Sequence, residues 1–112
     1  MDFPLEQFRD FLLKVAGEAG CSFYGGEVAV RTDKSNALVK SFLRSIRART
    51  GTPKFKVKTG TSDMNVVAPL WKCPILAYGP GDSALDHTPG EHIEIEEYGK
   101  AIDVLEFVLR TL

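Results

Sequence analysis

"KFKVKTGTSDMNVVAPLWKCPILAYGPGD", residues 54–82, sets the expected fold class. Its first five residues alternate, with Phe55 and Val57 on one side and Lys54, Lys56 and Lys58 on the other, as a strand with one wet face does. Gly60 then permits a turn, and Thr61, Ser62 or Asp63 can cap a short helix over "DMNVVAPLW" that Pro69 disturbs near its end. "PILAYGPG" follows, a short apolar run bounded by proline and glycine, which suits a buried strand.

The flanking segments extend this alternation. Leu5, Phe8, Leu12, Val15 and Ala19 recur every three or four residues behind Asp2, Phe3 and Pro4, the spacing of a helix face that Gly20 closes. "CSFYGGEVAVRTD" is strand-like at both ends and broken at Gly25-Gly26. "KSNALVKSFLRSIRART" predicts a helix with Leu38, Phe42, Leu43 and Ile46 inward and Lys40, Arg44 and Arg47 outward, ended by Gly51 and Pro53. After Glu94 a long helix is predicted, its inward stripe Ile95, Tyr98, Ile102, Leu105, Leu109 and Leu112. Helices alternating with strands imply an α/β fold, a partial parallel or mixed sheet covered by helices.

With 112 residues, 44% of them hydrophobic and 26% charged, the chain has the composition of one globular domain. No apolar run reaches membrane-span length, and Met1 leads into Asp2 and Glu6 rather than a basic, apolar signal segment, so a cytoplasmic location is expected. Cys21 and Cys73 are read as reduced thiols, small buried apolar residues without a disulfide framework. The net charge of −1 hides an asymmetry: nine basic residues stand against Asp33 in residues 31–58, and eight acidic ones against Lys100 in residues 82–106. The basic segment either meets an anionic partner or is a solvated face; without interleaved aromatics in a slightly acidic domain, no nucleic-acid partner is expected.

Two loops offer chemistry. "TGTSD" presents backbone N–H groups and hydroxyls at a helix start, a cradle for an anion or an ordinary capped turn. "GPGDSALDHTPGEHIEIEEY", residues 79–98, holds both histidines of the chain among carboxylates, but two imidazoles without clustered cysteines or a His-Glu-x-x-His do not complete a metal site.

In combination, Gly-Thr-Ser-Asp at 60–63, Gly-Pro-Gly-Asp-Ser at 79–83 and His-x-x-x-Glu-His at 87–92 carry a resemblance. Residues 34–112 resemble the carboxyl-terminal part of the zinc-dependent aminoacylase and carboxypeptidase family, which includes acetylornithine deacetylase and succinyl-diaminopimelate desuccinylase. Within it they are most similar to the branch that releases lysine or ornithine from an amino-group carrier protein in lysine and arginine biosynthesis. The resemblance implies that His87 is the last metal ligand of that family, that Glu91 orients its loop, and that Gly60, Thr61 and Ser62 line the substrate pocket. His92 matches no ligand. It further implies zinc or cobalt as cofactor, and amide hydrolysis by water held between two metal ions. Lys54, Lys56 and Lys58 can then steer an acidic carrier.

Departures from the family pattern are as informative. Its His-x-Asp, its Glu-Glu pair with the general base, a further acidic ligand and the lid histidine have no counterpart here. Residues 1–32 resemble the tail of the family's lid or dimerisation domain, and 33–112 the end of its catalytic domain. The resemblance therefore implies a fragment of a metallohydrolase, inactive alone, whose partners are a small-molecule or carrier-bound amino acid, the missing amino-terminal half and further copies of itself. The alternative is a non-catalytic binding or dimerisation module of the same architecture.

Overall fold

The computed structural model describes residues 4–49 and 51–112. The expectations for Met1, Asp2, Phe3 and Thr50 fall outside them. Four helices form: α1 (Leu5–Ala16), α2 (Ala37–Arg49), α3 (Asp63–Trp71) and α4 (Ile95–Thr111). They divide between two compact units. One contains the chain up to Arg31 together with Lys58–Lys72, and the other contains Thr32–Val57 and Cys73–Leu112.

The expected α/β sheet is not what the chain adopts: among the described residues no segment is a strand. Alternation marks a face but supplies no neighbour, and a strand exists only where its N–H and C=O groups meet those of another. The candidate segments are shared between the two units, and within each none finds a partner. Lys56 turns its ammonium toward Ser83 Oγ (3.5 Å) and Asp82 Oδ1 (3.9 Å) instead of lying in a ladder. The run after Pro74 contributes side chains rather than backbone pairing, because Leu76 and Tyr78 cover the core of their unit.

In the first unit, α1 starts at Pro4, whose carbonyl accepts the Phe8 N–H, and ends at Gly17 with φ 59°, three residues before the glycine expected to stop it. None of its residues is fully buried. What covers it is the loop at Gly26, where a Cβ would lie 2.7 Å from Leu5 Cδ2 and 2.9 Å from Arg9 Nη2, so a backbone without a side chain approaches the helix there. The Arg9 guanidinium in turn sits 5.9 Å from the centre of the Phe23 ring.

α3 starts at Ser62 and continues two residues past Pro69 before Lys72 adopts the left-handed conformation at φ 49°. Its start is held by Asn65. The Asn65 side-chain oxygen accepts the Ser62 N–H (2.9 Å), and its Nδ2 donates to the Val28 carbonyl (2.9 Å), fastening the Gly26 loop to the helix.

In the second unit, α2 is capped by Asn36, whose Oδ1 accepts the Val39 N–H at 2.9 Å and whose Nδ2 donates to the Asp33 carbonyl. The Ser35 hydroxyl and N–H both donate to the Asp33 carboxylate, and these bonds, with Lys40 nearby, hold its pKa below the ordinary value. α2 packs on α4 through Phe42, Val104 and Val108, with Leu38, Ile46, Leu76 and Tyr78 around them. The Phe42 and Tyr78 rings meet at a tilt of 49° with centroids 5.0 Å apart, and burial pushes the Tyr78 phenol up, with Glu97 adding to the shift. Ser45 is fully buried, small enough for close approach, and its hydroxyl donates to the Val104 carbonyl at 3.3 Å. Arg49 closes the end of the interface over the Phe107 ring.

The face that α4 buries differs from the one expected. Ala101, Val104 and Val108 point inward, while Ile95, Tyr98, Ile102, Leu105, Leu109 and Leu112 are exposed. The helix is apolar on two faces. The narrower one packs against α2, because small and β-branched side chains let the two helices approach. Cys21 and Cys73 are also exposed rather than buried, and both are free thiols. No helix of the described residues is long and apolar enough to cross a membrane.

Candidate functional site

Residues 82–91 fold as three successive turns. Leu85 N–H bonds to Asp82 O, Thr88 N–H to Leu85 O, and Glu91 N–H to Thr88 O, at 2.9 to 3.1 Å. The Asp82 side chain accepts the Ala84 N–H, and the Thr88 hydroxyl donates to Leu85 O, so the loop is tied by side chains as well. Within it His87 has φ 62°, one of two non-glycine residues of the described chain in the left-handed region. That conformation costs a residue with a Cβ roughly 1–2 kcal/mol. What offsets it is Glu91, whose Oε2 accepts the His87 backbone N–H at 2.9 Å. The exposed imidazole is thereby carried on a fixed turn.

His92 is held differently. Its Nδ1 meets the Gly90 carbonyl at 2.7 Å, a contact that only an N–H can satisfy, and Nε2 faces Glu94 at 3.6 Å. Nδ1 is thus tied to the loop, while Nε2 makes no hydrogen bond within it. A cleft of about 310 Å³ runs along this loop, lined by Asp82, Asp86, Glu91 and His92 among others. Glu94 then serves as the cap residue of α4 and Glu96 pairs with Lys100, which lowers the Glu96 pKa chiefly through their hydrogen bond. Among the described residues no three histidine, cysteine or carboxylate side chains come together as a metal site.

The other residues singled out in the sequence lie elsewhere. Gly60, Thr61 and Ser62 belong to the first unit, exposed at the start of α3. Lys54 and Lys56 belong to the second unit and Lys58 to the first. Lys40, Arg44 and Arg47 do share the outer face of α2, along an open groove with Leu43 and Ala48. Sequence reasoning missed Asn65, which stiffens the Ser62 turn. Its position three residues after Ser62, the capping-box interval, was the available signal.

Residues 14–111 match the model of peptidase family M20/M25/M40. The chain belongs to this family. It is 58% identical over 94 residues to the [LysW]-lysine hydrolase of Deinococcus radiodurans, an alignment covering 84% of this chain and 26% of that protein. It is 48% identical over 84 residues to a putative [LysW]-lysine/[LysW]-ornithine hydrolase of Pyrococcus horikoshii, covering 75% of this chain and 26% of the relative. With the [LysW]-lysine/[LysW]-ornithine hydrolase of Sulfurisphaera tokodaii it shares 43% identity over 68 residues, covering 61% of this chain and 19% of that protein. The chain therefore spans about a quarter of the length of the curated relatives it matches. The resemblance of residues 34–112 to this family is borne out.

M20 peptidases are in general metal-dependent. The described residues of this M20 chain do not fit a complete metal centre, since His87 and its loop bring no second and third ligand to one point.

Proposed function

We propose that the chain is a carboxyl-terminal segment of a metal-dependent amide hydrolase that releases lysine or ornithine from a carrier-bound or N-acylated precursor, as in lysine and arginine biosynthesis. By itself it is inactive. The observation that carries this reading is His87, an exposed imidazole on a left-handed turn locked by Glu91, inside the segment that matches the M20 family. A surface loop has no packing reason to hold a histidine at positive φ, whereas presenting an imidazole in one fixed direction gives a reason.

In this reading His87 supplies one ligand to zinc or cobalt, and the remaining ligands and the general base come from residues outside this chain. Glu91 fixes the direction of the His87 turn. Gly60, Thr61 and Ser62 line the substrate pocket, Asn65 stiffening their turn. Residues 1–32 are the tail of a lid or dimerisation region and 33–112 the end of the catalytic region. Lys54, Lys56 and Lys58 attract an acidic carrier by long-range field rather than contact. Their charge reversal in the complete hydrolase raises KM for the carrier-bound substrate and leaves kcat alone; an unchanged KM removes that role.

The test of the central reading uses cobalt(II) as a paramagnetic probe of the imidazole resonances. His87 broadens at lower cobalt than His92, whose Nδ1 is already tied to the Gly90 carbonyl, and the purified chain hydrolyses no acyl-ornithine. Broadening of His92 first, or turnover by the chain alone, overturns it.

A further inference from the structure

We propose that Asn65 is a positioning residue, a strap through which the Gly26–Val28 loop, lying against α1, fixes the geometry of the Gly60–Ser62 turn. The proposal rests on the hydrolase reading only where it takes that turn as a wall of the substrate pocket.

Packing does not shape the turn. Gly60, Thr61 and Ser62 are exposed, and no residue of α3 behind them is fully buried. Hydrogen bonds must therefore set its course, and Asn65 makes them. Asn65 Oδ1 accepts the Ser62 N–H at 2.9 Å, and the Ser62 carbonyl accepts the Asn65 N–H at 2.9 Å, so one residue grips Ser62 on both sides. A capping box ends there. Asn65 goes further, because its Nδ2 donates to the Val28 carbonyl at 2.9 Å, 37 residues back in the chain. The junction requires an amide: a carboxylate would accept from Ser62 but has no hydrogen to give Val28.

The loop is located from its other side. Gly26 approaches α1 so closely that a Cβ would stand 2.7 Å from Leu5 Cδ2 and 2.9 Å from Arg9 Nη2. Arg9 is in turn held by Glu6 at 3.0 Å and lies against the Phe23 ring. α1, the loop, Asn65 and the Ser62 turn thus form one run of contacts inside the first unit. When the loop moves off α1, the Val28 carbonyl carries Asn65 with it, and the acceptor of the Ser62 N–H moves too. In the hydrolase reading, substrate affinity then answers to how residues 5–28 are packed, at a distance from the substrate wall itself.

The experiment is amide hydrogen exchange of the 112-residue chain, with circular dichroism as the check on folding. Asn65→Asp keeps the acceptor for Ser62 and removes the donor to Val28, so it cuts the strap without uncapping α3. Gly26→Leu wedges the loop off α1; alanine is a weaker wedge, since the ends of Leu5 and Arg9 can swing aside. Gly26→Leu is expected to accelerate exchange at Ser62 roughly fivefold with Asn65 in place and less than about twofold in the Asn65→Asp background. Leu5→Ala/Arg9→Ala, which withdraws the support of the loop without a wedge, gives the same pair of results and serves if the leucine disturbs the fold. Equal acceleration in the two backgrounds, or none in either, overturns the proposal. In the complete hydrolase Asn65→Asp raises KM and leaves kcat alone. If KM stays unchanged while the exchange coupling holds, the pocket assignment of the turn fails and the strap stands.

Discussion

Removing the carboxylate that holds the His87 turn is the sharpest probe of the site. In Glu91→Ala the His87 N–H loses its acceptor, 2.9 Å away, and the left-handed residue keeps its conformational cost without the bond that offset it. A hydrogen bond to an ionised group contributes roughly 1.5–3 kcal/mol where it is shielded. Both residues are exposed, so water replaces most of that, and about 1 kcal/mol is expected. The change acts on local opening of residues 82–91 rather than on the α2–α4 core, because none of those residues belongs to the core cluster. Amide hydrogen exchange at His87 then accelerates roughly fivefold, the factor that 1 kcal/mol represents at room temperature. Glu91→Gln, which retains a neutral acceptor, accelerates it by roughly twofold. His87→Gly removes the cost that the bond offsets, so that loop should tolerate Glu91→Ala better. If exchange at His87 is the same in wild type and Glu91→Ala, the carboxylate does not hold the turn and the argument for a pre-aimed imidazole fails.

Three further outcomes follow from the packing. Val104→Ala removes two buried methyl groups from a small core and should lower stability by about 2–3 kcal/mol in urea denaturation at fixed protein concentration; a loss under ~0.5 kcal/mol would show that α4 does not anchor the unit. Asn65→Ala leaves the Ser62 N–H and the Val28 carbonyl without their partner and should cost about 1–2 kcal/mol, read as fraying of α3 by amide exchange; unchanged protection of residues 63–66 counts against it. The Asp33 carboxyl has a folded pKa below its unfolded value, so the support it gives the start of α2 is present above about pH 4 and is lost as pH falls through the depressed value. Asp33→Asn should abolish that acid-side change in the Ser35 amide resonance, and its persistence would assign the effect to another group.

The helices were legible because each carries its own instructions. Pro4 at the start of α1, the Asn36 and Ser62 positions before α2 and α3, and the carboxylates opening α4 are local signals that need no tertiary partner. The sheet was misread because its evidence was of another kind. "KFKVK" and "PILAY" state which side chains dislike water, and whether they become strands depends on a neighbour that the pattern does not contain. The inward face of α4 failed for a related reason: hydrophobicity picked a stripe of large side chains, while close packing against Ser45 selected alanine and valine. At the site, the family motifs drew attention to His87 and Glu91, but positive φ at a histidine is a property of the backbone that no composition reports.

The threading of the two units carries a consequence for the order of folding. The chain enters the first unit, leaves it after Arg31, returns at Lys58 and leaves again after Lys72, so neither unit is a continuous stretch. During synthesis the Gly26 loop that lies against α1 waits for Asn65 of α3 to fasten it, and the wait ends once that helix has been made. α2 waits longer. The hydroxyl of Ser45 finds its carbonyl only at Val104, 59 residues downstream, and until α4 emerges Phe42 has no more than Leu76 and Tyr78 to cover it. The nascent chain therefore passes through a period in which an amphipathic basic helix is displayed with its apolar side open, the state that chaperones bind and that truncation before α4 makes permanent.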